Sequence, residues 1–192
     1  YSAFINGGKL VEPVLIDRIQ DSEGNTIVNN KQRSCVNCNQ ISFMSDQYPE
    51  IKDNYVRVFS SQTAYQMTSL LEGVVQRGTG KKLKKLELNI AGKTGTTNEN
   101  TDAWFIGFTS NLIIGVYVGM DDPKSLGRYE TGSKTALPIF KDFVEKSVKK
   151  SNARPFKVAE GITMMVVDPK SGEKAKFSSK NTIVEAYKKK NV

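Results

Sequence analysis

Two segments of the chain have apolar residues at the spacing of an amphipathic helix. Over residues 60–77 apolar side chains recur at steps of three and four, which predicts a helix that begins at serine and ends at glycine. The same spacing returns over 137–148, where Pro138 suits the first turn. Residues 1–5 have the pattern of a helix end, stopped by Asn6-Gly7-Gly8. Because they carry neither Met nor a signal-peptide pattern, we expect a piece of a longer polypeptide.

Three consecutive segments have the pattern of strands. Residues 88–97, 102–109 and 112–120 are rich in β-branched, aromatic and other apolar residues, and short polar turns separate them. Such tight connections favour consecutive antiparallel strands. The third segment is nearly all apolar, which predicts a strand buried at the centre of the sheet. The fold class we predict is α/β of the α+β type, with a mainly antiparallel sheet covered by helices.

The remaining segments predict hairpins and a loop. Residues 13–19 and 26–28 flank a polar turn and predict one hairpin. Residues 162–168 and 173–177 flank Pro-Lys-Ser-Gly and predict a second. Residues 29–53 are polar with few periodic apolar positions, which predicts a surface loop.

Composition indicates a folded chain without a membrane span. Of the 192 residues, 38% are hydrophobic and 25% charged, which is typical of one globular domain. The longest apolar runs fall short of the roughly 20 residues that a transmembrane helix needs. The net charge is +8, and residues 134–192 hold 14 Lys and Arg against 6 Asp and Glu. We interpret this excess as a solvated basic end, or as contact with an anionic membrane or polymer surface. No nucleic-acid-binding motif accompanies it.

The chain contains no histidine. This excludes Ser-His-Asp and Cys-His catalysis and most catalytic zinc sites. Cys35 and Cys38 are the two cysteines, and with no other Cys and no His they could form only part of a zinc site. For this pair we predict a local disulfide staple or unreacted thiols. No metal or cofactor is expected.

Chemically distinctive side chains are concentrated in the segment Ala91-Gly-Lys-Thr-Gly-Thr-Thr97. Alternation along a strand would place Lys93 and Gly95 on one side and Thr94 and Thr96 on the other. A glycine inside a strand often marks the close approach of a ligand or another backbone. At a sheet edge, this segment would offer a free backbone ladder and hydroxyl donors, as recognition of a peptide by β-strand addition requires.

Two other interpretations of this segment compete. A phosphate-binding loop requires G-x-x-x-x-G-K-[ST], but the first glycine would fall at Glu87. An acidic residue followed by a mostly apolar run cannot wrap phosphates with backbone N–H groups. The segment could also be an ordinary surface strand that contains Lys-Thr-Gly-Thr by chance, and its sequence context decides between these interpretations.

Further motifs occur in a fixed order along residues 1–150. They are Tyr1-Ser-Ala-Phe-Ile-Asn-Gly-Gly, Gln76-Arg-Gly-Thr-Gly, Ala91-Gly-Lys-Thr-Gly-Thr-Thr-Asn, Asp102-Ala-Trp-Phe-Ile-Gly-Phe-Thr, Gly115-Val-Tyr-Val-Gly-Met-Asp-Asp-Pro and Thr131-Gly. In order and spacing these blocks closely resemble the C-terminal half of the transpeptidase domain of class A (bifunctional) penicillin-binding proteins. Lys-Thr-Gly is the third signature of the serine acyltransferases that include these proteins and class A β-lactamases.

This resemblance implies a D,D-transpeptidase that cross-links peptidoglycan stem peptides through a serine acyl-enzyme and is the target of β-lactams. It also implies the serine β-lactamase and penicillin-binding-protein transpeptidase fold, incomplete in this chain. Lys93 resembles the family lysine that helps set hydrogen bonds and charge in the active site. Thr94 and Thr96 resemble the hydroxyls that hold the terminal carboxylate of the donor peptide or antibiotic, and the Thr96 N–H resembles an oxyanion-hole donor. Lys93 and Thr96 are thus the expected catalytic residues, and Thr94, Gly95, Thr96 and Thr97 the expected substrate-binding residues.

The family motif S-x-x-K, which carries the serine nucleophile and its base, is expected upstream of Tyr1, as is S-x-N. Ser147–Lys150, Ser171–Lys174 and Ser179–Asn181 have similar spacing. They follow Lys-Thr-Gly, the reverse of the family order, so we interpret them as chance matches. We therefore expect this chain alone to be inactive.

The resemblance also predicts an organisation for the whole polypeptide. Residues 1–150 are expected to be the C-terminal half of the transpeptidase domain, and 151–192 an extension with a hairpin, a short helix near 183–187 and a basic tail. The implied partners are peptidoglycan stem peptides, β-lactams and the rest of the polypeptide. The implied location is the periplasmic side of the bacterial inner membrane, with a glycosyltransferase and a membrane anchor outside this chain.

Two alternatives share the Lys-Thr-Gly motif. One is a non-catalytic module that binds peptide or cell-wall material at the same strand edge. The other is a β-lactamase, which the matching blocks disfavour. In this chain, the lack of helices from the missing half would leave apolar sheet surface uncovered, which predicts association into a homo-oligomer or strand exchange.

Overall fold

The computed structural model describes residues 1–30, 33–36, 38 and 49–189. The chain divides into two compact units, Tyr1–Gly8 with Phe59–Val192, and Lys9–Val58. The α-helices are α1 (Ser2–Ile5), α2 (Ser61–Arg77) and α3 (Leu137–Ser147); the strands are β1 (Arg18–Gln20), β2 (Thr26–Asn29), β3 (Arg33–Val36), β4 (Glu50–Asp53), β5 (Ala91–Thr96), β6 (Ala103–Phe108), β7 (Ile113–Val118), β8 (Ile162–Val167) and β9 (Ile183–Lys188). Shorter 3₁₀ turns cover Lys81–Leu86, Asn98–Asn100 and Lys150–Asn152, and a π-helical turn covers Gly132–Ala136.

The larger unit is built on a three-stranded antiparallel sheet in the order β5-β6-β7. The prediction of consecutive antiparallel strands is confirmed. The expectation that the third strand is central is wrong within the described residues: β6 is central, and β7 forms an edge with no fully buried residue. Tyr117 in β7 is half exposed, and nothing in the described chain pairs with that edge.

Helices pack on both faces of this sheet, which confirms the prediction of a sheet covered by helices. Phe105 and Phe108 of β6 are both fully buried, and because they are three residues apart they point to opposite faces. On one face the Phe105 ring packs edge-on against Phe140 of α3, with ring centroids 4.8 Å apart. Gly107 makes room for this pair, since a Cβ there would lie 2.6 Å from the Phe140 ring. On the other face Phe108 forms a cluster with Leu71 of α2.

Helix α2 begins where the sequence predicts. The Ser60 hydroxyl accepts a hydrogen bond from the Thr63 N–H at 3.1 Å, which satisfies one of the free amides of the first turn. The helix ends at Arg77, and the Gly78 N–H donates to the Val74 carbonyl. Gly78 has a φ of −104° and so does not form the left-handed cap that glycine often provides after a helix.

The smaller unit contains two hairpins. Strands β1 and β2 pair antiparallel, which confirms the first predicted hairpin. Strands β3 and β4 also pair, from Arg33 with Asp53 to Val36 with Glu50, so the prediction of a loop over 29–53 is wrong at these residues; 31–32, 37 and 39–48 lie outside the described residues. Cys35 and Cys38 form a disulfide, in agreement with the local staple.

The second predicted hairpin is formed with a different partner. Strand β8 pairs with β9, from Ile162 with Lys188 to Val167 with Ile183, whereas the expected partner segment 173–177 makes only a single bridge between Val167 and Lys174. The prediction of a short helix over 183–187 is therefore wrong. Backbone pairing with β8 outweighs the weak helical pattern of a five-residue segment, because isolated helices of that length are unstable.

Strand β9 lies against α2. The Gln66 side-chain amide donates to the Ala186 carbonyl at 2.9 Å, and Arg77 forms an ion pair with Glu185. The tail is thus tied to the helix that leads into the Lys-Thr-Gly segment. In the part of the chain that the structure describes, no helix is long and apolar enough to cross a membrane.

Candidate active site

The Lys-Thr-Gly segment forms β5, at one edge of the three-stranded sheet. Its cross-strand partners in β6 are Ile106 for Lys93, Phe105 for Thr94, Trp104 for Gly95 and Ala103 for Thr96. Directly paired residues share a face of a sheet, so Thr94 and Thr96 lie on the face that carries Phe105 and α3. Lys93 and Gly95 lie on the face of Trp104. The predicted alternation is confirmed.

Lys93 presents a cation beside the strand. Its side chain is exposed, and Nζ donates a hydrogen bond to the Thr94 carbonyl oxygen at 2.8 Å. An ammonium group has three donors, so this contact leaves further donors on Nζ for a ligand. Lys93 therefore brings a positive charge to the edge at which a peptide could add.

Thr94 is supported from the loop that follows α2. Its Oγ1 lies 3.0 Å from Oγ1 of Thr79, and either hydroxyl can donate. Thr79 lies between α2 and the 3₁₀ turn Lys81–Leu86. Thr79 belongs to the block Gln76-Arg-Gly-Thr-Gly, but the sequence pattern indicated no role for it.

Thr96 is supported from the π-helical turn that precedes α3. The Gly132 N–H donates to Thr96 Oγ1 at 3.1 Å. Gly132 is buried against β5 and β6: a Cβ at this position would lie 2.6 Å from the Gly95 carbonyl oxygen and would also collide with the Trp104 carbonyl oxygen. Only glycine fits so close to two backbone groups. The block Thr131-Gly was the signal for this contact, although the sequence did not reveal its partner.

Thr97 follows the strand and belongs to the turn into β6. Its Oγ1 accepts from the Asp102 N–H at 2.8 Å and donates to the Asp102 carboxylate at 3.1 Å. Tyr117 and Thr101 also donate to that carboxylate. Hydrogen bonds from Tyr117 first, then from Thr101 and Thr97, hold the pKa of Asp102 below its ordinary value. Asp102 thus stabilises the turn between β5 and β6.

An aromatic pair lies on the Lys93 face of the sheet. The Trp104 and Tyr117 rings have centroids 4.7 Å apart, and both side chains are about half exposed. The Tyr117 hydroxyl donates to Asp102 at 2.7 Å, and this bond raises the pKa of Tyr117. The pair therefore links the turn after β5 to β7.

The three serine segments with S-x-x-K-like or S-x-N-like spacing are engaged in contacts away from β5. Lys150 forms an ion pair with Glu87 at 2.6 Å, the Ser171 hydroxyl accepts from the Glu173 N–H, and the Ser179 hydroxyl accepts from the Lys176 N–H. The Ser171 and Ser179 contacts are typical of turns. Among the described residues, no group of three or more acidic or cysteine side chains could hold a metal ion.

Residues 1–145 match the model of the penicillin-binding protein transpeptidase domain. The chain belongs to this family. It is 42% identical over 194 residues to penicillin-binding protein 1A of Rickettsia conorii, covering 100% of this chain and 24% of that protein. It is 38% identical over 133 residues to penicillin-binding protein 1A of Pseudomonas aeruginosa, covering 69% and 16%.

A solved structure of the family has the same fold. The crystal structure of penicillin-binding protein 1A from Haemophilus influenzae matches 97% of this chain and 30% of that one, with a TM-score of 0.72 and 30% identity. The predicted family and fold class are thereby confirmed. The chain spans about a quarter of the length of the Rickettsia relative, and so holds part of a penicillin-binding-protein transpeptidase domain.

Proposed function

We propose that this chain supplies one wall of the active site of a peptidoglycan D,D-transpeptidase. The serine nucleophile and its lysine lie in an S-x-x-K motif outside the chain, so residues 1–192 alone are inactive. The observation that carries the proposal is the arrangement on β5: two hydroxyls on one face of an edge strand, each with a hydrogen-bond partner from a neighbouring loop, and a lysine on the other face.

The residues from Lys93 to Thr97 each have a role in this proposal. Thr94 and Thr96 donate hydrogen bonds to the terminal carboxylate of the donor stem peptide or of a β-lactam. The Thr96 N–H stabilises the oxyanion of the tetrahedral intermediate, a contribution worth roughly 10² to 10³ in rate for such donors. Lys93 contributes positive charge and a hydrogen bond near the serine. Gly95 lets the ligand backbone approach β5, and Thr97 fixes the end of the binding strand.

The resulting chemistry is acyl transfer. The serine attacks the peptide carbonyl, the terminal residue leaves, and the amine of an acceptor stem peptide takes the acyl group in a cross-link. A β-lactam acylates the same serine. The absence of histidine from this chain agrees with a mechanism in which a lysine activates the serine.

The whole-protein context belongs to the same proposal. Residues 1–150 form the C-terminal half of the transpeptidase domain and 151–192 an extension. The protein acts on the periplasmic side of the bacterial inner membrane, with an anchor and a glycosyltransferase N-terminal to this chain. Exposed apolar residues such as Trp104 and Tyr117 favour association with the rest of the polypeptide, or of two copies when that part is missing; light scattering distinguishes a dimer from a monomer.

Intact-mass spectrometry after incubation with a penicillin tests the proposal. We expect no covalent adduct on this chain and one penicillin adduct on a longer polypeptide that includes the upstream S-x-x-K. An adduct on the short chain would contradict the proposed position of the nucleophile. No adduct on either would favour a non-catalytic module that binds peptide at β5, and rapid loss of the adduct would favour a β-lactamase.

A further inference from the structure

Thr79 lies outside β5 but shares a hydrogen bond with one of its two ligand-facing hydroxyls. Its Oγ1 is 3.0 Å from Thr94 Oγ1. Thr79 is exposed, and Thr94 is half-buried. Within the described residues, no second hydrogen bond of the Thr79 hydroxyl is formed. The hydroxyl is therefore not needed to hold its own loop together, and its contact is directed at β5.

The loop around Thr79 is fixed by its backbone. The N–H groups of Gly78 and Gly80, on either side of Thr79, both donate to the Val74 carbonyl of α2 at 3.0 Å. Gly80 is buried, and Leu83 in the following 3₁₀ turn is completely buried. The Thr79 backbone is thus held between two anchored residues, while its hydroxyl proton is free to rotate.

A carboxylate can only accept hydrogen bonds, whereas a threonine hydroxyl has one proton to donate. When Thr94 donates that proton to a carboxylate, its contact with Thr79 survives only if Thr79 becomes the donor. Thr96 needs no such adjustment, because its partner is the Gly132 N–H, which cannot accept. The Thr94 and Thr96 hydroxyls then each accept a hydrogen bond from a neighbouring loop and keep their own proton for the carboxylate.

We infer that Thr79 is a positioning residue for carboxylate recognition: its hydroxyl donates to Thr94 and so directs the Thr94 proton to the carboxylate of the bound peptide or β-lactam. This inference rests on the proposed function. The contribution of the Thr79 contact is therefore the orientation of the Thr94 hydroxyl. Thr79 itself does not touch the ligand.

The test uses Thr79→Val, which keeps the shape and removes the hydroxyl, and Thr79→Ser, which keeps the hydroxyl. Both are made in the longer polypeptide that includes S-x-x-K. The rate of acylation is measured by intact mass with a penicillin bearing its free carboxylate and with the methyl ester of the same penicillin. We expect Thr79→Val to slow acylation by the acid about 3- to 10-fold, the value of one net hydrogen bond, and to leave acylation by the ester unchanged. Thr79→Ser should restore the rate with the acid.

The comparison separates the positioning role from a structural one. An equal loss with acid and ester would show that Thr79 only shapes the site, and no loss with either would show that it has no role; both results overturn the inference. If the unsubstituted polypeptide forms no adduct, the proposed function fails and this inference fails with it. If it forms an adduct and only the Thr79 pattern is wrong, the proposed function stands.

Discussion

We expect Gly132→Ala to damage the site more than Gly115→Ala or Gly73→Ala, although each substitution adds only one methyl group. Gly132 lies against the backbone of β5 and β6, where an added Cβ would be 2.6 Å from the Gly95 carbonyl oxygen. An ordinary contact between a carbon and a neighbouring heavy atom is about 3.5 Å. The π-helical turn must therefore move away from the sheet by about 1 Å, or β5 must move in the other direction.

Such a shift breaks the support of Thr96. The Gly132 N–H lies 3.1 Å from Thr96 Oγ1, and about 1 Å more exceeds the range of a hydrogen bond. Forcing extra volume into a packed region typically costs about 1–3 kcal/mol, which for a chain of this length lowers the melting temperature by roughly 3–10 °C. A misplacement of about 1 Å in a reacting site can cost about 10²-fold in rate.

Two assays and one matched control check this prediction. Thermal unfolding of the chain gives the loss of stability, and the acylation rate of the longer polypeptide gives the loss of function. Gly115→Ala in β7 is the control, because the nearest atom to its Cβ would be Ile106 Cγ1 at 4.0 Å, an ordinary contact. The reasoning is refuted if Gly132→Ala and Gly115→Ala have the same melting temperature and the same acylation rate.

Two further predictions concern the turn after β5 and the docking of the tail. The pKa of Asp102 is lower in the folded chain than its ordinary value, chiefly through the Tyr117 hydroxyl, so its stabilising effect is complete above the unfolded pKa and is lost as the pH falls below about 4. Asp102→Asn should therefore flatten the decrease in melting temperature on acidification, and an unchanged pH profile would count against these hydrogen bonds. Gly73→Ala inside α2 would normally stabilise a helix by about 1 kcal/mol, but a Cβ there would lie 2.8 Å from the Arg77 guanidinium, which pairs with Glu185. We expect no net gain and faster proteolysis of the β8–β9 hairpin; a full gain with unchanged proteolysis would contradict this.

The central sheet could be predicted because its pairing is local. Strands β5, β6 and β7 follow one another with short connections, which favour antiparallel pairing of neighbouring strands. The pairing of β3 with β4 could not be predicted, because every residue of both strands is exposed and no apolar alternation marks them. Strand β9 was missed because its partner strand ends at Val167, sixteen residues before Ile183.

The strand that forms the candidate site could be predicted from the sequence. The loop contacts that hold its two hydroxyls could not. The Lys-Thr-Gly motif identifies β5, and strand alternation separates Lys93 from Thr94 and Thr96. Thr79 and Gly132 lie 15 and 36 residues away along the chain from the hydroxyls they contact. Contacts between loops at such separations depend on how the elements pack, and no pattern within either loop specifies them.

The most direct measurement is the crystal structure of the longer polypeptide, with its S-x-x-K motif, acylated by a penicillin. We predict that the ligand lies along the outer edge of β5, with its carboxylate about 2.7–3.2 Å from the Thr94 and Thr96 hydroxyls and its acyl oxygen beside the Thr96 N–H. A ligand that is bound to the serine but makes no contact with these three groups would contradict the claim that this chain supplies the carboxylate-binding wall of the site.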